Sequence, residues 1–353
     1  MNESARPVAV IAGASGFIGR AVAEAFAADG YELRLVGRTA PTRWDDAAAL
    51  ERAVDGADVV VNFAGKSVNC RYTDHNRDEV LGSRVRTTRA LREAIAAAGK
   101  PPRVWLNSST ATIYRHSMDH ANTESSGEIG AGFSVDVARA WERECFAGSL
   151  PGTRRVALRT AVVIGDGPAT RMLLASARWG LGGTQFDGRP APHRRYRGIG
   201  DRPTGPDHAP WYRTHGRQRF SWVHIDDVVA AIRFIRDDER LAGPINVVAP
   251  AVSDNRTLMR TLRRVVGMPV GIPTRRWMLE IGMWALRTEP ELALKSRWVS
   301  PGVLTDAGFT FTHGDLEAAL TDVWDRRGLP GRGVSIPRSR TGRARALARR
   351  TGR

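Results

Sequence analysis

Short runs of apolar residues alternate along most of the chain with longer stretches in which apolar residues recur every three or four positions. The first run, residues 8–12, is rich in β-branched side chains, which predicts a buried parallel strand. Three glycines follow at intervals of three residues, and residues 21–28 then have helical composition. A second strand is predicted at residues 32–36. The order of strand, glycine turn, helix and strand predicts a βαβ unit.

The same alternation continues beyond this unit. It predicts further strands at residues 57–63, 103–107, 155–164 and 244–248 and helices at 47–54, 77–98, 133–146, 170–179, 228–235, 255–266, 276–286 and 315–324. Strands that alternate with helices indicate a parallel sheet covered on both faces. The sequence therefore predicts an α/β protein: a Rossmann-type, doubly wound parallel sheet with a smaller, mainly helical C-terminal module.

The expected domain boundaries follow changes in composition. Residues 1–183 are predicted to form a nucleotide-binding domain, and residues 220–252 its end and the crossover. Residues 184–219 form a basic insertion rich in Gly, Pro and Arg, 253–330 a small substrate-side domain, and 331–353 a basic tail that we predict to be disordered.

The formal charge of +16 comes mostly from two of these segments. The tail contributes +8 and residues 186–219 contribute +5, so the remaining chain carries only +3. This distribution does not indicate a specific nucleic-acid-binding fold. Two cysteines, a polar N-terminus and the lack of a long apolar run predict a cytoplasmic protein with no disulfide framework and no membrane span.

Four glycine-rich or polar segments follow predicted strands, at residues 13–19, 62–65, 108–114 and 165–167. Because the carboxyl ends of parallel strands share one edge of the sheet, these segments are expected to converge there. Glycines at this spacing allow backbone amides to approach a diphosphate, whose charge lies at a helix N-terminus. The convergence predicts a dinucleotide site.

Arg38 follows the second strand, where an acidic residue would bind the adenosine ribose hydroxyls and select NAD. Residues 37–40 contain no acid. An arginine here accommodates a 2′-phosphate, so NADP is the predicted cofactor and NAD the less favoured one. The alternative is an ordinary surface arginine.

Together, these segments resemble the extended short-chain dehydrogenase/reductase superfamily, and in particular its atypical "epimerase family" branch. The resemblance covers roughly residues 7–325 and also includes the segments 83–87, 159–165, 180–183, 220–227 and 244–250, with a small domain of unknown function after them. It implies a small-molecule substrate and the following cofactor-binding residues: Gly13, Ser15, Gly16, Phe17, Ile18, Gly19, Arg38, Thr39, Asn62, Ala64, Gly65 and Ser108.

The resemblance also implies a catalytic Ser or Thr, matched here by Thr110, and a Tyr-x-x-x-Lys pair on the helix at residues 133–146. Ser134 and Ala138 occupy the tyrosine and lysine positions. Neither side chain can act as the usual proton donor or cation. Tyr114 is the remaining catalytic candidate, and the alternative is a tyrosine packed under the edge of the sheet.

Three cations are candidates for binding an anionic substrate, namely Lys66, Arg84 and Arg159. A solvated surface lysine is the alternative for Lys66. The segment His224-Ile225-Asp226-Asp227 is expected to provide an N-cap and interdomain hydrogen bonds and not a metal site. Two functions remain open: an NADP-dependent oxidoreductase or epimerase, and an NADP(H)-binding sensor or scaffold without turnover.

Overall fold

The computed structural model describes residues 6–188, 212–285 and 294–328. Its strands are β1 (Val8–Ala12), β2 (Glu32–Gly37), β3 (Thr42–Arg43), β4 (Val59–Asn62), β5 (Val104–Thr110), β6 (Arg154–Thr160), β7 (Val162–Ile164), β8 (Arg219–Phe220), β9 (Trp222–His224), β10 (Gly243–Val247) and β11 (Ser253–Asp254). Seven of them form one sheet in the order β10-β6-β5-β4-β1-β2-β3. All neighbouring pairs in it are parallel, which confirms the predicted Rossmann-type sheet.

The helices are α1 (Phe17–Ala28), α2 (Ala47–Val54), α3 (Asp74–Ala97), α4 (Phe133–Phe146), α5 (Pro168–Ser176), α6 (Ile225–Asp237), α7 (Asn255–Val266), α8 (Arg276–Ala285), α9 (Gly302–Asp306) and α10 (Leu316–Arg326). A π-helical turn, Ala177–Leu181, directly follows α5. Side chains cap several helices: Asp46 accepts from the Ala49 amide before α2, and Asp254 accepts from the Thr257 amide before α7. Such caps satisfy amides that have no partner within the helix.

Helices cover both faces of the sheet, and β1 shows why. Its five residues are all buried, with Ala9 and Ile11 on one face and Val10 and Ala12 on the other. The first face packs with residues of α1 and α6, such as Phe26 and Ile232, and the second with residues of α2, α3 and α4. A strand buried on both faces reads as a continuous apolar run, which is how β1 was predicted.

The sequence predicted one strand at residues 155–164, and this prediction is wrong because two separate strands, β6 and β7, occupy the range. The chain leaves the central sheet after Thr160, and residues 162–164 form β7, which pairs with β9 in a separate two-stranded sheet. Behind this small sheet, α5, α7 and α10 enclose their own apolar cluster around Trp222, Leu258 and Leu320. Of these helices, α7 and α10 belong to the helical C-terminal region that the sequence predicted.

Most of the predicted basic insertion and all of the basic tail lie outside the described residues. Within the described part of the insertion, Gln185 forms an isolated bridge with Thr274, just ahead of α8. The domain boundaries proposed from composition stay predictions. No helix in the described ranges is long and apolar enough to cross a bilayer.

Candidate functional site at the carboxyl edge of the sheet

The ends of β1, β4 and β5, which were predicted to converge, lie next to one another, because residues at or near these ends pair across the sheet. Val36 of β2 pairs with Ala12 of β1, Ala12 with Asn62 of β4, and Asn62 with Asn107 of β5. The segments that follow these four residues therefore begin side by side along one edge of the sheet. This is the edge at which open parallel sheets bind their ligands.

The glycine turn after β1 is packed too closely to admit side chains. Gly13 has φ +80°, and a Cβ on it would lie 2.8 Å from the Ala64 amide nitrogen. A Cβ on Gly19 would lie 2.3 Å from the Gly13 carbonyl oxygen. Helix α1 then begins behind Gly16, so the first amides of the helix have no partner within it. These amides and the bare backbone can approach an anion closely.

The other predicted cofactor residues surround this turn. Ser15 and Gly16 are exposed, Phe17 and Ile18 are half-buried, and Gly19 is buried. The Phe17 ring lies against the turn after β7, because a Cβ on Gly165 or Gly167 would come within 2.6 Å of it. The fourth predicted segment therefore also reaches the glycine turn.

Asn62 shapes the segment after β4 from within the protein. It is fully buried, its Nδ2 donates to Asn107 Oδ1 at 2.7 Å, and its Oδ1 accepts from the Ala64 amide at 3.0 Å. Thr88 closes the network by accepting from the indole nitrogen of Trp141 at 3.0 Å. These bonds fix where Ala64 and Gly65 lie beside Gly13.

Arg84 holds the same segment from the helix side. Its guanidinium donates to the Lys66 carbonyl at 2.9 Å and to the Val80 carbonyl at 3.0 Å, and it lies 4.9 Å from the ring centre of Trp141. A Cβ on Gly65 would meet it at 3.3 Å. Burial lowers the pKa of Arg84 to about 10. Lys66 is half-buried and its Nζ donates to Asn76 Oδ1 at 2.8 Å.

Thr110 ends β5 at the same edge. Its Oγ1 donates to Thr112 Oγ1 at 3.1 Å and accepts from the Thr112 amide at 3.2 Å, which starts a short 3-10 turn. Ser108, two residues earlier, is half-buried like Thr110. The hydroxyl of Thr110 is thus held in the turn that follows β5, and its catalytic role stays a prediction.

Tyr114 and Arg159 meet in the interior. The phenol donates to Asn246 Oδ1 at 2.9 Å and accepts from Arg159 Nη1 at 2.8 Å, and 1 % of Tyr114 is exposed. Burial raises the pKa of the phenol, although Arg159 opposes this effect. Arg159 itself makes a two-pronged ion pair with Glu142, at 2.7 and 2.8 Å. These contacts favour the packing interpretation of Tyr114 and give Arg159 a structural partner.

Sequence reasoning missed Lys295, which contacts the turn after Thr110, and His116. Lys295 is 3 % exposed, and its Nζ donates to the Thr112 carbonyl at 2.9 Å. His116 Nδ1 accepts from the Ser296 amide at 3.0 Å and its ring stacks on Tyr212. Burial and then Lys295 lower the pKa of His116 to about 4. The lysine is 183 positions from Thr112 in the chain, so no local pattern could have placed it there.

The helix that should carry the Tyr-x-x-x-Lys pair packs its alanine into the core. Ala138 of α4 is completely buried beside Ile113, Val135 and Tyr114, and Ser134 is half-buried one turn earlier. A lysine would not fit at position 138 without displacing this cluster.

His224 caps α6, as predicted, by accepting from the Asp226 amide at 3.3 Å. Asp227 accepts from the amides of Thr312 and His313, which ties α6 to the segment ahead of α10. Ligand atoms of His224, Asp226 and His313 lie within 4.8 Å of one another, a grouping that can hold a metal ion. The guanidinium of Arg326 already pairs with Asp226 at 2.7 Å, and a cation entering the cluster would have to compete with it.

Arg38 and Thr39 are both exposed, and they directly follow β2, at the end of the row formed by Val36 and Ala12. They lie apart from Thr110, on the other side of β1 and β4 in the order of the sheet. This separation fits a ligand that extends along the edge, with one end near Arg38 and the other near Thr110.

Comparisons with known proteins agree with this arrangement. The model of the NAD dependent epimerase/dehydratase family matches residues 9–132, and a domain of unknown function, DUF1731, matches residues 276–323. The epimerase family protein SDR39U1 of Bos taurus is 30% identical over 324 residues, which cover 89% of this chain and 98% of the relative. The epimerase family protein YfhF of Bacillus subtilis is 26% identical and is matched over 96% of its length.

Among solved structures, the crystal structure of human epimerase family protein SDR39U1 with NADPH superimposes with a TM-score of 0.75. It is 25% identical, and the match covers 90% of this chain and 99% of the human one. The parallel sheet, the glycine turn and the threonine at the end of β5 define a Rossmann-type protein of the short-chain dehydrogenase/reductase class. Within that class, the chain belongs to the epimerase family.

Proposed function

We propose that this protein binds NADP(H) along the carboxyl edge of the sheet. The observation that carries the proposal is the close contact of Gly13 with Gly19 and with the backbone at Ala64, which leaves bare amides in front of α1. A diphosphate fits such a surface because it needs donors and close approach and no side chains. The crystal structure of the human relative was determined with NADPH, which supports the choice of cofactor.

NADP is favoured over NAD by the residue after β2. Arg38 is an exposed cation there, and residues 37–40 contain no carboxylate that would bond the ribose hydroxyls. A guanidinium forms strong, charge-assisted hydrogen bonds with a phosphate. Arg38 and Thr39 would therefore bind the 2′-phosphate.

The reaction proposed for this site is the oxidation, reduction or epimerisation of a small molecule, for which the nicotinamide supplies hydride transfer when bound. Thr110 would hold the reacting oxygen of the substrate by its hydroxyl. Lys295 would place a positive charge beside that oxygen, a role that α4 cannot provide because Ala138 occupies the lysine position. Lys66 and Arg84 would attract an anionic group, since their side-chain hydrogen bonds to described residues go to amide and carbonyl oxygens.

A second function, NADP(H) binding without turnover, is favoured by one observation. The positions of the usual proton donor and cation hold Ser134 and a fully buried Ala138, and the hydroxyl of Tyr114 is already engaged by Asn246 and Arg159. A sensor or scaffold needs the cofactor site and not the proton donor.

A fluorescence titration with NADPH and NADH tests the cofactor proposal. Gly19→Ala should weaken NADPH binding by at least about tenfold, because the new Cβ would collide with the Gly13 carbonyl and displace the turn. Gly314→Ala is the matched control, because a Cβ there meets no atom within 4 Å. Arg38→Glu should reduce the preference for NADPH over NADH by roughly 10- to 100-fold, the value of a charged hydrogen bond. Equal affinity for both nucleotides in the wild type would contradict the NADP assignment.

Turnover is tested separately, by the loss of NADPH absorbance across a panel of carbonyl compounds. Thr110→Val and Lys295→Met should abolish any turnover and leave NADPH affinity unchanged. Binding without oxidation of NADPH by any compound of the panel would support the non-catalytic alternative.

A further inference from the structure

Six of the large apolar side chains that the described structure exposes lie in two short parts of the chain. They are Trp179 (81 % exposed), Leu181 (49 %), Val270 (62 %), Ile272 (50 %), Trp277 (60 %) and Ile281 (61 %). We call these six residues the tryptophan face. Single exposed apolar residues are common, but a group that includes two tryptophans marks an interaction site.

Backbone contacts bring the two parts together. The Ile272 amide donates to the Gly180 carbonyl at 2.8 Å, and the Thr274 amide donates to the Thr184 carbonyl at 3.0 Å. Gly183 allows this approach, because a Cβ on it would lie 2.1 Å from the Ile272 carbonyl oxygen. The side chains next to these bonded positions, at 179, 181, 270 and 272, thus project from adjoining segments.

Helix α8 continues the exposed apolar residues two positions after Thr274. Trp277 and Ile281 are four positions apart, so they lie on the same side of the helix. Other residues of the helix have a different role: Leu279 is buried, and Arg276 pairs with Glu280 at 2.9 Å. The helix is therefore amphipathic, with its apolar exposed side unpartnered among the described residues.

Within the described residues 177–183 and 268–283, the charged side chains are almost all cationic. Arg178 and Arg275 are exposed, and Arg263 lies between the two parts, where it donates to the Gly182 carbonyl and packs against Gly271. Residues 177–183 and 268–283 contain one acidic residue, Glu280, and its charge is neutralised by the ion pair with Arg276. Two copies of such a face would repel each other, whereas an anionic partner with an apolar layer would complement it.

From this combination we propose that the tryptophan face seats the protein on the surface of a bilayer that contains anionic phospholipids. Tryptophan is favoured at the boundary between headgroups and acyl chains, and arginines that border an apolar helix face pair with lipid phosphates. Trp179 and Trp277 enter that boundary, and Arg178 and Arg275 contact the headgroups. The attachment is peripheral and uses none of the residues proposed to bind the cofactor.

Co-sedimentation of the full chain with phosphatidylcholine vesicles, with and without phosphatidylserine, tests the proposal. Because the chain carries +16, charge alone can attract it to anionic vesicles at low salt. Raising the salt from 0.1 to 1 M shortens the screening length from about 10 to about 3 Å and suppresses that contribution. We expect anionic vesicles to retain the wild type in 1 M salt and the double variant Trp179→Ser/Trp277→Ser to bind at least roughly tenfold more weakly there.

Val68→Ser/Ile129→Ser is the matched control, since both side chains are exposed apolar residues outside the tryptophan face, and it should bind like the wild type. Circular dichroism should show the same unfolding temperature for all three proteins. Equal loss of binding by wild type and double variant in 1 M salt would overturn the proposal. So would equal binding, at 0.1 M salt, to vesicles with and without phosphatidylserine, or concentration-dependent dimerisation that the tryptophan substitutions abolish without any effect on vesicle binding.

Discussion

The buried ion pair between Glu142 and Arg159 allows a quantitative prediction. Their side chains are 11 % and 9 % exposed, and the guanidinium also donates to the hydroxyl of Tyr114. Burial alone would lower the pKa of Arg159, but the hydrogen bonds and charge of Glu142 outweigh this effect, so the pKa is raised. Without the carboxylate the guanidinium still stays charged at neutral pH, because the ordinary pKa of an arginine lies above about 12.

Glu142→Gln leaves this charge in the interior without its counter-ion. Breaking a buried pair in this way costs about 3–5 kcal/mol. With an unfolding entropy of about 2.1 cal/mol/K per residue, a chain of 353 residues should lose about 4–7 °C in unfolding temperature. The double variant Glu142→Gln/Arg159→Met removes both charges, and it should be less destabilised than the sum of the single variants because no unpaired charge remains.

Thermal unfolding followed by circular dichroism measures these effects. Arg171→Met is the control, because Arg171 and Asp166 form a similar two-pronged pair with about half of each side chain exposed. It should cost no more than about 1 kcal/mol. Additive losses in the double variant, or a loss for Glu142→Gln no larger than the control, would refute the reasoning that an unpaired buried charge dominates.

Three further predictions concern single residues. Burial lowers the pKa of His116 to about 4 in the folded protein, against about 6.5 in an unfolded chain. As the pH falls, the unfolded state therefore binds the extra proton first, and the stability of the fold should decrease between about pH 6.5 and pH 4. Thermal scans should show a weaker pH dependence of stability in His116→Asn. Burial raises the pKa of the Cys145 thiol to about 12, so iodoacetamide at pH 8 should label Cys70 in the folded protein and Cys145 only after unfolding, as peptide mass spectrometry would show. Gly127→Ala would place a Cβ 2.3 Å from the ring of Tyr114 and should lower the free energy of unfolding by about 1–3 kcal/mol in a urea titration; an unchanged midpoint would contradict that packing.

The sequence by itself determined the elements whose signals are local. The glycine turn and the strands and helices around it were predicted, and α4 and α7 begin and end at the predicted residues. A diphosphate site is built from consecutive residues on one turn, which is why it can be recognised from the sequence. The absence of a usable Tyr-x-x-x-Lys pair was equally visible, because both positions lie on one helix.

Only the tertiary structure decided which distant side chains meet. Tyr114 bonds Asn246, 132 positions away, and Lys295 reaches Thr112 from the C-terminal region. The strand predicted at residues 155–164 is divided in the structure, because Val162–Ile164 pairs with β9 and not with a strand of the central sheet. The exposure of Trp179 was not predictable either, since an apolar residue next to a helix looks the same whether it is buried or not. Contacts of this kind depend on packing between distant parts of the chain, and the local sequence of one part does not show which other part it will contact.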